Sequence, residues 1–240
     1  MLNVPILNIS VTPHSAKQVV DRINLHAARG ERLLIVGHNL HSAYMYKTDQ
    51  RFKQVYDCAD LILIDGQPLR FSLNVFGKAG LTQEYRVGSV DWLTRASEFS
   101  FERLAIIGAS EASNELTQQV LSASSSCVVR GWPGANWSNQ DHDHIFSEVA
   151  QFNPDLLLVG LGMPMQEHIY ETLSAGLPNC IIALVGGAID QLNGTQERAP
   201  KAFQRAGLEW FWRLIRDPRK FAGRYLVEPF KLFFLIMKGN

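Results

Sequence analysis

The sequence predicts an α/β domain built on a mostly parallel, Rossmann-like sheet sandwiched by helices, followed by a basic amphipathic helical appendage. Three observations predict it. Short runs of β-favouring apolar residues recur along the chain, each stopping at a glycine, an aspartate or a polar turn. Amphipathic stretches of helical length lie between them. The runs are continuous rather than alternating, which implies strands covered on both faces, as in a parallel sheet with helices on either side.

Taken in order, the N-terminal MLNVPILNISVTP has no charged leading region and is broken early by Pro5, so it does not read as a secretory signal. RLLIVG (32–37) is the first expected strand, and HSAYMYKTDQRFKQVYDC supplies helical periodicity before the next, LILI (61–64). RLAIIG (103–108), CVVRG (127–131), DLLLVG (155–160) and CIIALVG (180–186) are four more, with DHIFSEVAQF a helix between the second and third of these. The segment DHDH (141–144) invites a metal reading. Its neighbours read as a polar lead-in to that helix, and adjacent helical residues do not face one another, so helix capping is preferred.

The totals narrow the function classes. A chain of 240 residues with 46% hydrophobic and 19% charged residues is globular, long enough for one α/β domain plus an appendage. Cys58, Cys127 and Cys180 have unrelated spacings and no CxxC, which suggests neither a disulfide framework nor a zinc site and fits a reducing compartment. No apolar run approaches the length that spans a bilayer. The formal charge is zero, but residues 201–240 carry nine Lys and Arg against three Asp and Glu, leaving an acidic body of 1–200 with a basic tail. An acidic body without aromatic RNA-binding strands or a basic recognition helix argues against nucleic acid as the partner.

In such a sheet, ligands bind beyond the carboxyl ends of the strands. Asn39, Asp65, Gly108, Gly160, Gly162 and the segment from Gly186 to Asp190 all follow apolar strands and should gather along one edge. Helix capping is the commonest job of a strand-end Asp or Asn. Asp65 stands apart, because Gly66 permits a sharp turn and Pro68 suits a helix start, which leaves Gln67 nearer the cap. VGLGMPMQEH and LVGGAIDQLNG supply two glycine turns whose backbone N–H groups could meet a diphosphate. Neither is a GxGxxG, and no P-loop occurs, so nicotinamide and ATPase sites are disfavoured.

The tail LEWFWRLIRDPRKFAGRYLVEPFKLFFLIMKGN reads as helices broken at Asp217-Pro218. Arg213, Arg216, Lys220 and Arg224 are spaced to share one cationic face if the two helices stay roughly in line, with Phe221, Tyr225, Phe230, Phe233 and Phe234 beside it. Cations with aromatics suit an interfacial membrane anchor, ahead of a packed helix or a homo-oligomer interface.

Several of these motifs, in this order, resemble the WecG/TagA/CpsF glycosyltransferases, glycosyltransferase family 26. HNLHSAYMYKTDQRFKQVYDCADLILIDGQPLRF resembles the family's N-terminal signature, and VGLGMPMQEH, VGGAIDQLNGTQERAP and GLEWFWRLIRDPRKFAGRYL its later ones. The resemblance implies transfer of a hexose or N-acetylhexosamine from a UDP-sugar to a saccharide on a polyprenyl diphosphate, with inversion and without an essential metal or other cofactor. It implies work at the cytoplasmic face of a bacterial membrane, in cell-surface or exopolysaccharide synthesis, with the appendage docking there and helping to close the site. Position by position, Asp65 matches the family's general base and Asn39 its N-terminal site Asn. Arg86, Asp91, Gly160, Gly162, Gln166, Glu167, Gly186, Gly187, Asp190, Arg198, Arg213 and Arg224 match substrate-binding positions; Gly108 joins them by its place after a strand. The sequence departs from the family's pattern at Gly37-His38, Ser89, the residues after Gly134, Met163 and Met165.

The chemistry needs one carboxylate to take a proton from the acceptor hydroxyl and positive charge to receive the departing diphosphate. Asp65 is the expected base. Helix N-termini and Arg198, Arg213 or Arg224 are the expected charge, since the Asp-x-Asp triplet of DHDH (141–144) is read as a helix lead-in rather than a metal motif. The competing class is an idle nucleotide-sugar-binding scaffold of a polysaccharide assembly complex.

Overall fold

A computed structural model describes residues 1–108, 110–134 and 142–238. It begins with a hairpin that the apolar runs do not announce: β1 (Leu2–Val4) pairs antiparallel with β2 (Ile9–Val11). Thr12 ties the hairpin to the main sheet, its N–H donating to Ile62 O (2.8 Å) and its Oγ1 accepting from Ile62 N (2.7 Å). Helix α1 (Ala16–Arg29) opens on a Ser15–Gln18 capping box and stops at Gly30 in the left-handed region, before β3 (Leu33–His38). Then come α2 (Leu40–Thr48), α3 (Gln50–Asp57), β4 (Leu61–Ile64) and α4 (Gln67–Val75). The chain continues through α5 (Ser89–Leu93), β5 (Arg103–Gly108), α6 (Glu111–Ser124) and β6 (Val128–Trp132). After α7 (His142–Phe152) come β7 (Leu156–Gly160), α8 (Met165–His168), α9 (Tyr170–Gly176), β8 (Ile181–Leu184) and α10 (Ala188–Leu192).

All six expected strands form, in one parallel sheet of order β4-β3-β8-β7-β5-β6. Their continuous apolar character has the anticipated cause. Leu34, Val36, Ile62, Ile64, Leu157 and Val159 belong to the core on one face, while Leu33, Ile35, Leu61, Leu63, Leu156 and Leu158 belong to the core on the other. Each such buried side chain contributes roughly 1.5–3 kcal/mol, so the rims of these strands are rigid platforms. Of DHDH, Asp141 lies outside the described residues, and His144 pairs with Glu148 at 3.4 Å within α7.

Beyond Pro200 the chain is helical: α11 (Lys201–Ala206), α12 (Glu209–Arg216), α13 (Pro218–Ala222), a π-helical turn (Gly223–Val227) and α14 (Glu228–Lys238). The break falls between Arg216 and Pro218, as the Asp-Pro pair predicts. Buried Phe221 and Leu232 tie this segment down. The expected single cationic face does not form. Arg213 and Arg224 line cavities, whereas Arg216 pairs with Glu197 at 2.5 Å. The non-helical Asp217 and the π turn take the successive segments out of line. Among the described residues, no helix is long and apolar enough to cross a membrane.

Candidate active site

The carboxyl ends of four adjacent strands, β4, β3, β8 and β7, form the floor of the site. Asn39, after β3, does the ordinary capping job: its Oδ1 accepts from Ser42 N (3.1 Å), and Ser42 Oγ accepts from Asn39 N (2.8 Å). Its other end is free for the site, and Nδ2 donates to Asp65 Oδ2 at 3.1 Å. Asp65 itself caps nothing, because Gly66 takes the cap position of α4 and makes no side-chain bond there. The backbone of Asp65 is fixed by its N–H donating to His38 O at 2.9 Å. Its Oδ1 lies over Gly88, where a Cβ would come within 2.6 Å, so only a residue without a side chain leaves the carboxylate that position.

Burial pushes the Asp65 carboxyl above its ordinary pKa; the Asn39 hydrogen bond and the guanidinium groups of Arg213 and Arg86 pull it back, and Glu209 pushes it up again. Asp65 keeps partial exposure through the cavities it lines. A carboxylate lifted in this way holds a proton more firmly than an exposed one, as a general base requires.

Two cavities meet at Asp65. The larger, about 280 Å³, has Leu40, Pro68, Trp210, Tyr225 and Pro229 in its walls. The smaller, about 130 Å³, runs over the glycine turns at Gly162, Gly186 and Gly187 and is walled by Gln166, Asp91 and Arg198. Asn39, Asp65, Arg86, Glu209, Arg213 and Arg224 line both. One cavity is thus aromatic and the other polar, and the carboxylate stands in their shared wall.

The cations there are not equivalent. Arg198 donates to Asp91 Oδ1 at 2.6 Å, while Asp91 Oδ2 accepts from Gly88 N at 3.0 Å, so Asp91 also steadies the backbone beneath Asp65. Arg86 pairs with Glu209 at 3.0 Å. Among the described residues, neither Arg213 nor Arg224 has a carboxylate within salt-bridge distance, and Arg224 Nε is buried with no hydrogen-bond partner. Burial lowers the pKa of Arg224 and the charge of Arg213 lowers it further, while Tyr225, Asp65 and Glu228 oppose the shift. Two guanidinium groups facing one space without a carboxylate at salt-bridge distance leave room for an anion to bind there. The helices after the glycine turns, α8 and α10, span only four and five residues, so their dipoles are slight beside the two guanidinium charges.

Gly108, Gly160, Glu167 and Asp190 line neither cavity. Gly108 and Gly160 serve close strand packing, since a Cβ at Gly108 would lie 2.8 Å from Gly160 Cα. Asp190 accepts from Ser113 Oγ at 2.7 Å and so faces α6. Glu167 is buried behind the site: its Oε1 accepts from Gln166 Nε2 (2.9 Å), and Gln166 Oε1 accepts from Gly186 N (3.0 Å), bracing a turn at φ 52°. Burial pushes the Glu167 pKa up to about 8, so a neutral acid holds Gln166 at physiological pH. Gly88, His41, Glu209, Trp210 and Tyr225 belong to the site without having been singled out for it from the sequence. Glu209, Trp210 and Tyr225 fall inside the tail signature GLEWFWRLIRDPRKFAGRYL, which was the available signal.

Comparison with known proteins points to one family. A family profile described as "Glycosyl transferase WecG/TagA/CpsF family" matches residues 4–240. Among curated relatives, an N-acetylglucosaminyldiphosphoundecaprenol N-acetyl-beta-D-mannosaminyltransferase of Bacillus spizizenii is 27% identical over 195 residues, 78% of this chain and 72% of that protein. A protein of the same description from Bacillus subtilis is 32% identical over 101 residues, 42% of this chain and 40% of the relative. Another from Staphylococcus aureus is 21% identical over 222 residues, 89% of this chain and 85% of its own length.

Proposed function

The chain belongs to the WecG/TagA/CpsF glycosyltransferase family, and from that premise we propose that it moves a hexose or N-acetylhexosamine from a UDP-sugar to a saccharide carried on a polyprenyl diphosphate, inverting the anomeric centre. The observation that carries this reading is Asp65 in the wall between two cavities of opposite character. The polar cavity takes the UDP-sugar, with its diphosphate near Arg213 and Arg224. The aromatic cavity takes the acceptor saccharide, because sugar rings offer apolar faces to side chains such as Trp210 and Tyr225. Asp65 removes the proton of the attacking acceptor hydroxyl as its oxygen bonds to the anomeric carbon; the carbon–oxygen bond to the diphosphate breaks, and UDP leaves with that electron pair. Arg213 and Arg224 meet the charge that gathers on the leaving group, where burial makes them worth more than in water.

Residues 1–200 form the catalytic body in this reading, and 201–240 an appendage that brings Arg213, Arg224 and Trp210 to the site while docking on the inner face of the cytoplasmic membrane, where a polyprenyl-linked acceptor resides. The exposed Phe230, Phe233 and Phe234 of α14 support that docking. The test is UDP release from a panel of UDP-sugars, with and without a short-chain diphosphate lipid bearing a saccharide. Release with one donor, dependent on acceptor, is expected. Nucleotide-sugar binding without transfer across the panel would favour the idle scaffold instead.

A further inference from the structure

We infer that α4, in the catalytic body, forms with α14 a two-sided membrane-docking surface around the mouth of the aromatic cavity, whose occupant is an anionic bilayer. The inference rests on the reading above and extends it to a second element. Gln67 of α4 lines the cavity, and Phe71 and Val75 follow it at i+4 and i+8, so all three share one helical stripe that leaves the cavity wall for the surface. Phe71 is 63% and Val75 50% exposed, and Phe76 continues the patch at 57%. From α14, Pro229 lines the same cavity, and Phe233 and Met237 follow at the same spacing, both exposed. The other face of α14 is already used, since Leu232 is buried and Ile236 packs against the core.

Two further features point outward. Ser72 Oγ donates to Pro5 O at 3.0 Å, which sets the β1–β2 turn beside α4, and Ile6 in that turn is held at φ 70° with its side chain 57% exposed. A β-branched residue in the left-handed region is strained, and here it presents apolar surface to solvent. Charge selects the occupant. Residues 66–83 contain Arg70 and Lys78 and no carboxylate, and around α14 Arg219, Lys231 and Lys238 are exposed whereas Glu228 turns inward to His41 at 2.5 Å. Apolar stripes rimmed by uncompensated cations fit anionic head groups over an acyl boundary and repel a second copy of themselves.

The experiment is flotation of the full chain with phosphatidylglycerol and with phosphatidylcholine vesicles, comparing the parent with Phe71→Ser, Phe71→Ser/Val75→Ser and, in the tail, Phe233→Ser. The parent should bind phosphatidylglycerol selectively, and the α4 double variant should lose about tenfold or more in vesicle affinity, as removal of two inserted apolar groups implies. Its thermal midpoint and its turnover with a short-chain soluble acceptor should be unchanged, because both side chains are exposed and touch neither cavity. Phe71→Ser should give a smaller loss in the same direction. Undiminished vesicle binding by the double variant overturns the inference, as does a parent that ignores phosphatidylglycerol, or a parent dimer that this variant dissociates. The vesicle arm reads the surface whatever the donor panel returns, so a failure of the proposed reaction and a failure of this surface are told apart.

Discussion

Asp65→Asn is expected to fold like the parent and to lose transfer by about 10²–10⁴-fold, the range for removing a positioned general base. The new side chain fills the same space over Gly88, and its amide oxygen still accepts from Asn39 Nδ2, so neither packing nor the capping of α2 is disturbed. Because burial disfavours the charged carboxyl, replacing it by a neutral amide removes a cost, and the thermal midpoint should hold or rise. Donor binding should survive, since the glycine turns and Arg198 are untouched. Turnover within about tenfold of the parent would assign the base to another residue.

Arg224→Ala should cost about 10²–10³-fold in transfer, the scale seen when one preorganised stabilising donor is lost, and should cost little or no stability. The two halves of that expectation come from one observation. Arg224 is buried near Arg213 with no carboxylate at salt-bridge distance, and its Nε finds no acceptor, so the protein's own groups compensate its charge only in part. A group kept at such expense must be compensated by something that arrives, and a diphosphate is the anion the reaction delivers. Arg224→Lys should recover part of the rate, keeping the charge while losing the planar fork. Full activity in Arg224→Ala, or a collapse of its thermal midpoint, would make this guanidinium a structural cation.

How much of this was legible in the sequence depends on the range of the interaction concerned. The six strands were readable because each is a short run buried on both faces, a local property. The β1–β2 hairpin was not: three residues per strand around Pro5 give too little pattern, and the hairpin is held by Thr12 bonding to Ile62, fifty residues away. Asp65 and Asn39 were found because a sheet's topology dictates where its strand ends gather. The same logic overreached at Gly108, Gly160 and Asp190, which also follow strands; two of them permit backbone approach and the third faces Ser113 on α6. Pairings such as Arg86 with Glu209, or His41 with Glu228, join body to tail and leave no trace in local spacing. The tail's arginines would share one stripe only along helices in line, and the break and the π turn, which shift the register, do not meet that condition.

At the centre of the account lies one direct displacement across the wall between two cavities, with a single carboxylate as base. The anomeric configuration of the product, read by NMR from the one-bond carbon–hydrogen coupling at the newly linked sugar, tests this most directly. An α-linked UDP-sugar should give a β-linked product and no covalent sugar–enzyme species. A product that keeps the donor's α configuration would require two displacements and would contradict the role given to Asp65.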